Sequence, residues 1–296
     1  MPNPRKLDKR RRSIRNIRKI TRTMELVATA RFKKALDRAA AAAAYTRRMT
    51  ELVAAVKRAQ AEVRHPLLEP RAAVQRATLL VLTANRGLCG GFNTNVQRAG
   101  LERWHELQAD VPHCRLEVSG KRGIAGFKFR GVTATGTFTH FEDRPAFAEV
   151  DVLADRYLDE YQTGTLDRLD VAYTKYLSAS QQHATVETLL PIGSIGTEAK
   201  IGAEREAMSQ YEFLPSAASI LEEIVPTSFR LKLFSCFLDT AVSEQIARMV
   251  AMKAATENAD ELIVQLSMHY NRARQGRITS ELIDLIGGVE ALGETR

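Results

Sequence analysis

Apolar residues recur at helical spacing over two long stretches, one near each end of the chain. In the first stretch the spacings are three, four and three residues, at Ile17, Ile20, Met24 and Val27. In the second stretch, spacings of three and four residues recur at Val242, Ile246 and Met249, at Ile263, Leu266, Tyr270 and Ala273, and at Leu282, Leu285 and Val289. Such a stripe is typical of a helix in a coiled coil or a helix bundle.

Proline and glycine, which interrupt regular structure, are absent from residues 5–65 and again from residues 227–275. The sequence therefore predicts two long helices, an N-terminal one within 1–73 and a C-terminal one within 216–296. Sixty helical residues span roughly 90 Å at 1.5 Å per residue. Because that exceeds the radius of any domain this chain could form, one or both helices are expected to project.

The middle of the chain, residues 74–215, has a different pattern. Short apolar runs bounded by polar residues predict strands at 77–84, 115–119, 132–138, 169–176 and 183–190. Helical patterns lie between them at 93–109 and 147–163. Alternating strands and helices predict an α/β domain, with a parallel or mixed sheet covered by helices.

Positive charge is concentrated at the N-terminal end. Residues 1–65 carry 19 Lys and Arg against 5 Asp and Glu, a net charge of +14, whereas the whole chain has a net charge of +8. This end could face nucleic acid, a phosphate-rich surface or an acidic protein. No aromatic residue precedes Phe32, so base stacking is not expected there.

No apolar run is long enough to span a membrane, and the basic start is not followed by the apolar segment of a signal peptide.

A glycine-rich turn at 87–91 follows the first predicted strand, where a phosphate-binding loop would lie. It matches neither the P-loop pattern nor the dinucleotide fingerprint, so a tight strand-to-helix turn is the favoured interpretation. Cys89 could act as a nucleophile with His105 or His113 as base, or it could be a buried thiol. No spacing indicates a metal site, so we predict no catalytic, cofactor-binding or metal-binding residue. An enzyme using nucleotides and a nucleic-acid-binding coiled coil remain as alternatives.

Three stretches closely resemble the gamma subunits of F-type ATP synthases. They are residues 13–35 (SIRNIRKITRTMELVATARFKKA), residues 85–95 (NRGLCGGFNTN), and residues 243–258 (SEQIARMVAMKAATEN) with their continuation through 270–275 and 278–282. The resemblance extends over essentially the whole chain. Asn85 departs from it, because aspartate is common at that position in the family.

The resemblance implies a long antiparallel coiled coil of the N- and C-terminal helices together with a Rossmann-like α/β domain. It implies a rotating central stalk that couples ion flow, commonly of protons, to ATP synthesis or hydrolysis and helps regulate ATPase activity without being catalytic itself. Implied partners are the alpha and beta subunits, the epsilon subunit and the ring of c subunits, with no nucleic acid. The chain lacks the two-cysteine loop of chloroplast relatives. It is therefore expected at the cytoplasmic face of a bacterial plasma membrane, as a peripheral subunit.

The resemblance also implies contacts at particular positions. Arg22, Met24 and Arg31 would lie near an acidic loop of the beta subunits, and Arg248 would help close that region from the second helix. Contacts with another beta-subunit loop would be made by Arg274, Gln275 and Thr279. An apolar bearing at the tip would consist of Leu282, Leu285, Ile286 and Val289.

Overall fold

The computed structural model describes residues 4–59, 65–69, 71, 73–141, 143–192 and 217–293. The elements, in chain order, are helix α1 (Pro4–Ala59), strand β1 (Arg76–Leu82), helix α2 (Phe92–Asp110), strand β2 (His113–Ser119), helix α3 (Lys121–Phe129), strand β3 (Gly136–Phe138), helix α4 (Phe147–Gln162), strand β4 (Arg168–Tyr176), strand β5 (Gln182–Leu190) and helix α5 (Ala217–Gly293). They form two compact units. One contains the described residues up to Ala28 and from Met249 onward, and the other those from Thr29 to Arg248.

The two long helices are present. Helix α1 has 56 residues and α5 has 77, which confirms the interpretation of the stretches without proline and glycine. Helix α5 begins before the last proline of the chain and continues through it, at Pro226. Proline lacks the backbone N–H and therefore removes one hydrogen bond of the helix. At the next residue, the Thr227 hydroxyl donates to the carbonyl oxygen of Glu223 at 2.9 Å.

Within the first unit, α1 and α5 pair in antiparallel orientation. Contacts along their length join Thr21 to Thr256, Arg18 to Asp260 and Arg11 to Tyr270. The hydroxyl oxygens of the two threonines are 2.8 Å apart. The Arg18 guanidinium lies 2.5 Å from a carboxylate oxygen of Asp260, and the guanidinium carbon of Arg11 lies 4.8 Å from the ring centre of Tyr270. As the residue number falls along α1 it rises along α5, so the helices run in opposite directions.

On α5 the buried positions of this unit follow a heptad pattern. They are Met252, Thr256, Ala259, Leu266 and Ala273, with spacings of four, three, seven and seven. Two of the predicted stripe positions, Leu266 and Ala273, are therefore confirmed as buried.

On α1 the predicted stripe is wrong. Ile17, Ile20 and Val27 are 46–59% exposed, whereas the buried positions are Thr21 and Ala28, seven residues apart. The buried face is displaced by one residue from the predicted one, a rotation of about 100° around the helix. Small side chains line this face, whereas the apolar side chains of Ile17, Ile20, Leu26 and Val27 remain accessible.

The second unit is built on a five-stranded sheet with the order β3-β2-β1-β4-β5. The first four strands are parallel, and β5 is antiparallel to β4. In the central strand β1, Leu79 pairs with Leu116 of β2 on one side and with Asp170 of β4 on the other. Every residue of β1 after Arg76 is buried, as expected of a strand covered on both faces.

Side chains of β1 alternate between two hydrophobic cores. Val81 belongs to the core that includes Trp104 of α2, and helix α3 packs on this face as well. Leu80 belongs to the other core, with Tyr157 of α4 and Phe229 of α5. The sheet therefore lies between α2 and α3 on one face and α4 and the N-terminal part of α5 on the other, which confirms the predicted α/β class.

Sequence patterns missed α3 and overestimated β3. Glycine is a poor helix former, and α3 contains Gly123 and Gly126 within nine residues. Gly123 is required by close packing, because a Cβ there would lie 2.4 Å from Oγ1 of Thr83. Strand β3 contains only three residues, 136–138, instead of the predicted 132–138. The preceding segment instead returns from α3, with the N–H of Val132 bonded to the carbonyl of Phe127 at 3.0 Å.

Candidate partner interface

The glycine-rich loop between β1 and α2 is held in place by the side chain of Asn85. Its amide nitrogen donates to the carbonyl oxygens of Thr139 at 3.1 Å and Phe141 at 2.8 Å. Its amide oxygen accepts a hydrogen bond from the backbone N–H of Lys121 at 3.0 Å. One amide thus joins three segments at the carboxyl ends of the parallel strands. Aspartate could not make the same set of contacts, because its carboxylate has no N–H to donate.

The backbone of this loop turns sharply. Leu88 and Gly90 adopt φ angles of 64° and 55°, in the left-handed region that glycine enters without strain. At the end of β1, the N–H of Ala84 donates to the side-chain oxygen of Asn93 at 2.9 Å, which fixes the start of α2. This geometry agrees with a tight strand-to-helix turn, the simpler of the two sequence interpretations.

Cys89 lies inside this turn and is 2% exposed. Its sulfur accepts a hydrogen bond from the side-chain amide of Asn93 at 3.2 Å. Burial raises the pKa of the Cys89 thiol, so the thiolate needed for nucleophilic attack is disfavoured. His113 pairs with Arg76 at the beginning of β1, whereas Cys89 follows the end of that strand. Cys89 is therefore a buried thiol, the alternative that the sequence favoured, and His113 lies at the opposite end of β1.

Arg248 of α5 faces the same loop, but from inside the protein. Its guanidinium lies 2.5 Å from a carboxylate oxygen of Glu244 and 3.5 Å from the carbonyl oxygen of Gly87. Both side chains of the ion pair are 8% exposed. Burial raises the pKa of Glu244, while the charge of Arg248 opposes that shift. Arg248, which the resemblance assigned to a partner contact, is thus engaged mainly within this chain.

The other predicted contact residues of α1 differ in exposure. Arg22 is exposed and bonds both carboxylate oxygens of Glu25, at 2.8 and 2.9 Å. Met24 is partly buried. Arg31, in the second unit, is partly buried and forms an ion pair with Asp143. The charge of Arg22 and Arg31 is therefore partly compensated by carboxylates of the same chain.

The predicted contact residues near the end of α5 are exposed. Arg274, Gln275 and Thr279 all lie on accessible helix surface. The Thr279 hydroxyl donates to the backbone carbonyl of Gln275 at 3.0 Å, so it is oriented by its own helix. In the part of the chain that the structure describes, the guanidinium of Arg274 forms no ion pair. These side chains are accessible for contacts outside the chain.

The predicted apolar bearing is exposed as well. Its four residues are 55–72% exposed, namely Leu282, Leu285, Ile286 and Val289. Ile283, which belongs to the same predicted apolar stretch, and Ile278 on the same part of α5 are similarly accessible. An exposed apolar surface of this kind marks a site of interaction.

Sequence reasoning missed two carboxylates of this region. Glu244 could have been found, since it precedes Arg248 by four residues, the spacing at which helical side chains meet. Asp143 is 112 residues from Arg31 along the chain, and no local pattern connects them.

Among the described residues, no group of three or more His, Cys, Asp or Glu side chains could hold a metal ion. Over the same residues, no helix has both the length and the apolar character needed to cross a bilayer.

Paired long helices with accessible apolar side chains, joined in sequence to an α/β unit, define a class of mixed helical and α/β chain whose exposed apolar surface suits contacts with other subunits. The family model described as ATP synthase matches residues 3–292. The ATP synthase gamma chain of Rhodopirellula baltica is 58% identical over 294 residues, with 99% of each chain covered. That of Gemmatimonas aurantiaca is 37% identical over 292 residues, again with 99% of each chain covered.

Solved structures agree in fold. A chain in the Euglena gracilis mitochondrial ATP synthase structure of OSCP, F1 and c-ring in rotational state 3 has a TM-score of 0.65 and 19% identity to this chain. The superposition covers 98% of this chain and 94% of that chain. This chain belongs to the ATP synthase gamma chain family, the gamma subunits of F-type ATP synthases.

Proposed function

We propose that this chain is the rotating central stalk that couples ion flow through the membrane sector to ATP synthesis or hydrolysis at the alpha and beta subunits. In this role it contributes no catalytic residue. The observation that carries the proposal is the antiparallel pairing of two long, unbroken helices in the first unit. A single helix twists easily, whereas two helices joined by side chains along their length can transmit torque.

A rotor must also distinguish catalytic sites that are otherwise equivalent. It can shift each site only through contacts that differ between the states of that site. The uneven charge of the chain supplies such a difference. Arg22 and Arg31 on the basic helix α1 are expected to attract acidic loops of the beta subunits, and Met24 lies between them in sequence. Arg248 is expected to act indirectly, by holding the loop at Gly87 against α5.

Contacts near the end of α5 suit two different tasks. Arg274, Gln275 and Thr279 present polar groups that can bond a second beta-subunit loop. The apolar bearing residues that follow them offer few directional bonds, so little has to be broken at each step of rotation. Their exposure in the isolated chain supports a sleeve of apolar residues supplied by the surrounding ring.

The epsilon subunit and the ring of c subunits are proposed as the partners of the second unit. Support comes from the structural relatives, which are described as the rotor of the Euglena gracilis enzyme and as the central stalk and c-ring of the Tetrahymena thermophila enzyme. Each agrees with this chain in fold. The chain would then lie at the cytoplasmic face of a bacterial plasma membrane, as a peripheral part of the F1 sector. There it would take part in ion transport, commonly of protons, and in regulation of ATPase activity.

The first test is assembly. The chain is co-expressed with alpha and beta subunits from the same source, and the purified complex is weighed by native mass spectrometry. One copy of this chain with three alpha and three beta subunits is expected, while the isolated chain should show no ATPase activity. A chain that hydrolyses ATP alone, or that does not enter the complex, would contradict the proposal.

A second test addresses coupling. Met24→Lys adds a charge beside the predicted beta-subunit contact, and Met24→Leu is the matched control. In membrane vesicles carrying the whole complex, Met24→Lys is expected to lower ATP-driven ion pumping at an ATPase rate that is retained. Met24→Leu should leave the ratio of pumping to hydrolysis unchanged. Equal ratios in both variants would show that Met24 does not lie at the coupling contact.

A further inference from the structure

A basic cleft of about 510 Å³ lies within the second unit. The proposed rotor contacts account for one of its lining residues, Arg31, and leave the others unexplained. Its lining includes five Lys and Arg side chains, which are Arg31, Lys34, Arg38, Arg86 and Arg144. The carboxylates of Asp143 and Glu149 also line it, so the ionised side chains sum to a net charge of +3, with His140 in addition. Its volume lies within the range of small-molecule sites, roughly 300–1,000 Å³.

The cations reach this cleft from separate segments. Lys34 and Arg38 are four residues apart on α1, a spacing that places them on one face together with Arg31. Arg86 comes from the glycine-rich loop, which Asn85 holds in place. Arg144 comes from the segment before α4. Cations that converge from three segments can surround an anion, which the exposed face of one helix cannot do.

Among the described residues, only one of these cations has a counter-ion at close range. Arg31 pairs with Asp143, whereas none of the other four forms an ion pair with a carboxylate among the described residues. Like charges held in one cleft repel one another, and a multivalent anion relieves that repulsion. Arginine side chains in particular bond two oxygens of a phosphate or carboxylate group at once.

The lining favours a phosphate chain over a whole nucleotide. Ala35 is the single aliphatic side chain among the residues that line the cleft, and it offers little surface for a base. The His140 ring already lies against the ring of Phe141, with centroids 4.0 Å apart. The size of the cleft suits a small anion better than a length of acidic peptide.

We propose that this cleft binds a polyphosphate group, either a free inorganic diphosphate or triphosphate or the phosphate tail of a nucleotide. On α1, Lys34 and Arg38 are the residues that bind the phosphate groups. Arg86 and Arg144 line the cleft from the other two segments. The site shares Arg31 with the proposed beta-subunit contact. Its other four cations are not among the proposed rotor contacts, and binding needs this chain alone.

Calorimetric titration of the full chain with tripolyphosphate tests the proposal. Wild type is compared with Lys34→Gln/Arg38→Gln and with the matched control Lys33→Gln/Lys253→Gln. All four residues are exposed, and the control pair loses the same charge outside the cleft. The cleft variant is expected to bind at least tenfold more weakly, and the control within twofold of wild type. Circular dichroism confirms that each variant has the helix content of wild type.

Titrations with other ligands distinguish a free polyphosphate from the phosphate tail of a nucleotide. Equal binding of ATP and tripolyphosphate would identify the phosphate chain alone as the ligand, and tenfold tighter binding of ATP would identify a nucleotide tail. Binding of adenosine without phosphate, or binding of hexaglutamate as tight as tripolyphosphate, would overturn the assignment. No binding by wild type at low salt, or equal weakening in both double variants, would overturn it as well. None of these results bears on assembly with alpha and beta subunits.

Discussion

Replacing Arg248 by methionine removes the positive member of a buried ion pair and keeps much of the side-chain volume. Glu244 would then remain in a site where both partners are 8% exposed. Breaking a buried pair by removing one member costs about 3–5 kcal/mol, because a charge is left without compensation. We therefore expect Arg248→Met to lower the free energy of unfolding of the second unit by about that amount at pH 7.5.

The loss should depend on pH in a defined direction. Burial already raises the pKa of Glu244 in the wild type, and loss of the arginine raises it further. A carboxyl group whose folded pKa is raised stabilises the fold below its unfolded pKa, and that stability is lost as pH rises through the folded value. Between the two values the free energy of unfolding falls by about 1.4 kcal/mol per pH unit. The defect of Arg248→Met should therefore shrink markedly toward pH 5.

The chain contains one tryptophan, and its position makes the measurement direct. Trp104 is buried in the core of the second unit, so its fluorescence reports the unfolding of the unit that contains Arg248. Urea unfolding is followed at pH 5, 6 and 7.5 for wild type, the single variants Arg248→Met and Glu244→Leu, and the double variant Glu244→Leu/Arg248→Met. Apolar replacement of both members of a buried pair is often nearly neutral, so the double variant should regain most of the stability.

Two results would refute this reasoning. A defect of Arg248→Met that is the same at all three pH values would mean that Glu244 is not the group left uncompensated. A double variant whose loss equals the sum of the two single losses would mean that the residues do not interact.

Three further changes in the second unit are expected to alter urea unfolding followed by Trp104 fluorescence. Burial raises the pKa of Asp239 to about 6, against the opposing charge of Lys232, so stability present below pH 4 is lost as pH rises through 6. Asp239→Asn should therefore be more stable than wild type at pH 7.5 by up to about 3 kcal/mol, with no difference below pH 4. Gly123→Ala should cost about 1–3 kcal/mol, since its Cβ would lie 2.4 Å from Oγ1 of Thr83. Asp170→Asn should cost about 3–5 kcal/mol, because this fully buried carboxylate accepts hydrogen bonds from two arginine side chains.

Each of these changes has its own control. A pH-independent difference for Asp239→Asn would show that the carboxyl group is not the titrating group. The cost of Gly123→Ala should fall in a Thr83→Ala background, and full additivity would contradict the proposed clash. Asp110→Asn, at the exposed end of α2, should change stability by less than about 0.5 kcal/mol. A similar loss there would show that burial does not explain the effect of Asp170→Asn.

Much of the fold could be predicted from local patterns, and the exceptions have physical causes. The continuous apolar run of β1 is a strong signal, because a strand buried on both faces requires it. The stretches without proline and glycine are another, because long uninterrupted helices require their absence. Helix α3 gave no such signal, because its glycines are required by close contacts, that of Gly123 with Thr83 and that of Gly126 with Gln97. Both contacts join segments distant in sequence, so no local window of the sequence contains them.

The interface residues show the same limit. Helix α1 has apolar or small residues on more than one face, and periodicity does not show which face is buried. The structure buries Thr21 and Ala28, whose size allows close approach of α5. Arg248 could be located by resemblance, but its burial depends on the loop at Gly87 and on Glu244. The basic cleft was not predicted at all, since its cations come from three segments.

The small residues on the face of α1 that packs against α5 have a consequence for the synthesis and assembly of the protein. Ile17, Ile20, Leu26 and Val27 of this helix are largely exposed, so a newly synthesised copy presents apolar surface to the cell. Such a copy needs a prompt supply of the subunits that cover it. Its yield should therefore follow the supply of those subunits more closely than its own rate of synthesis.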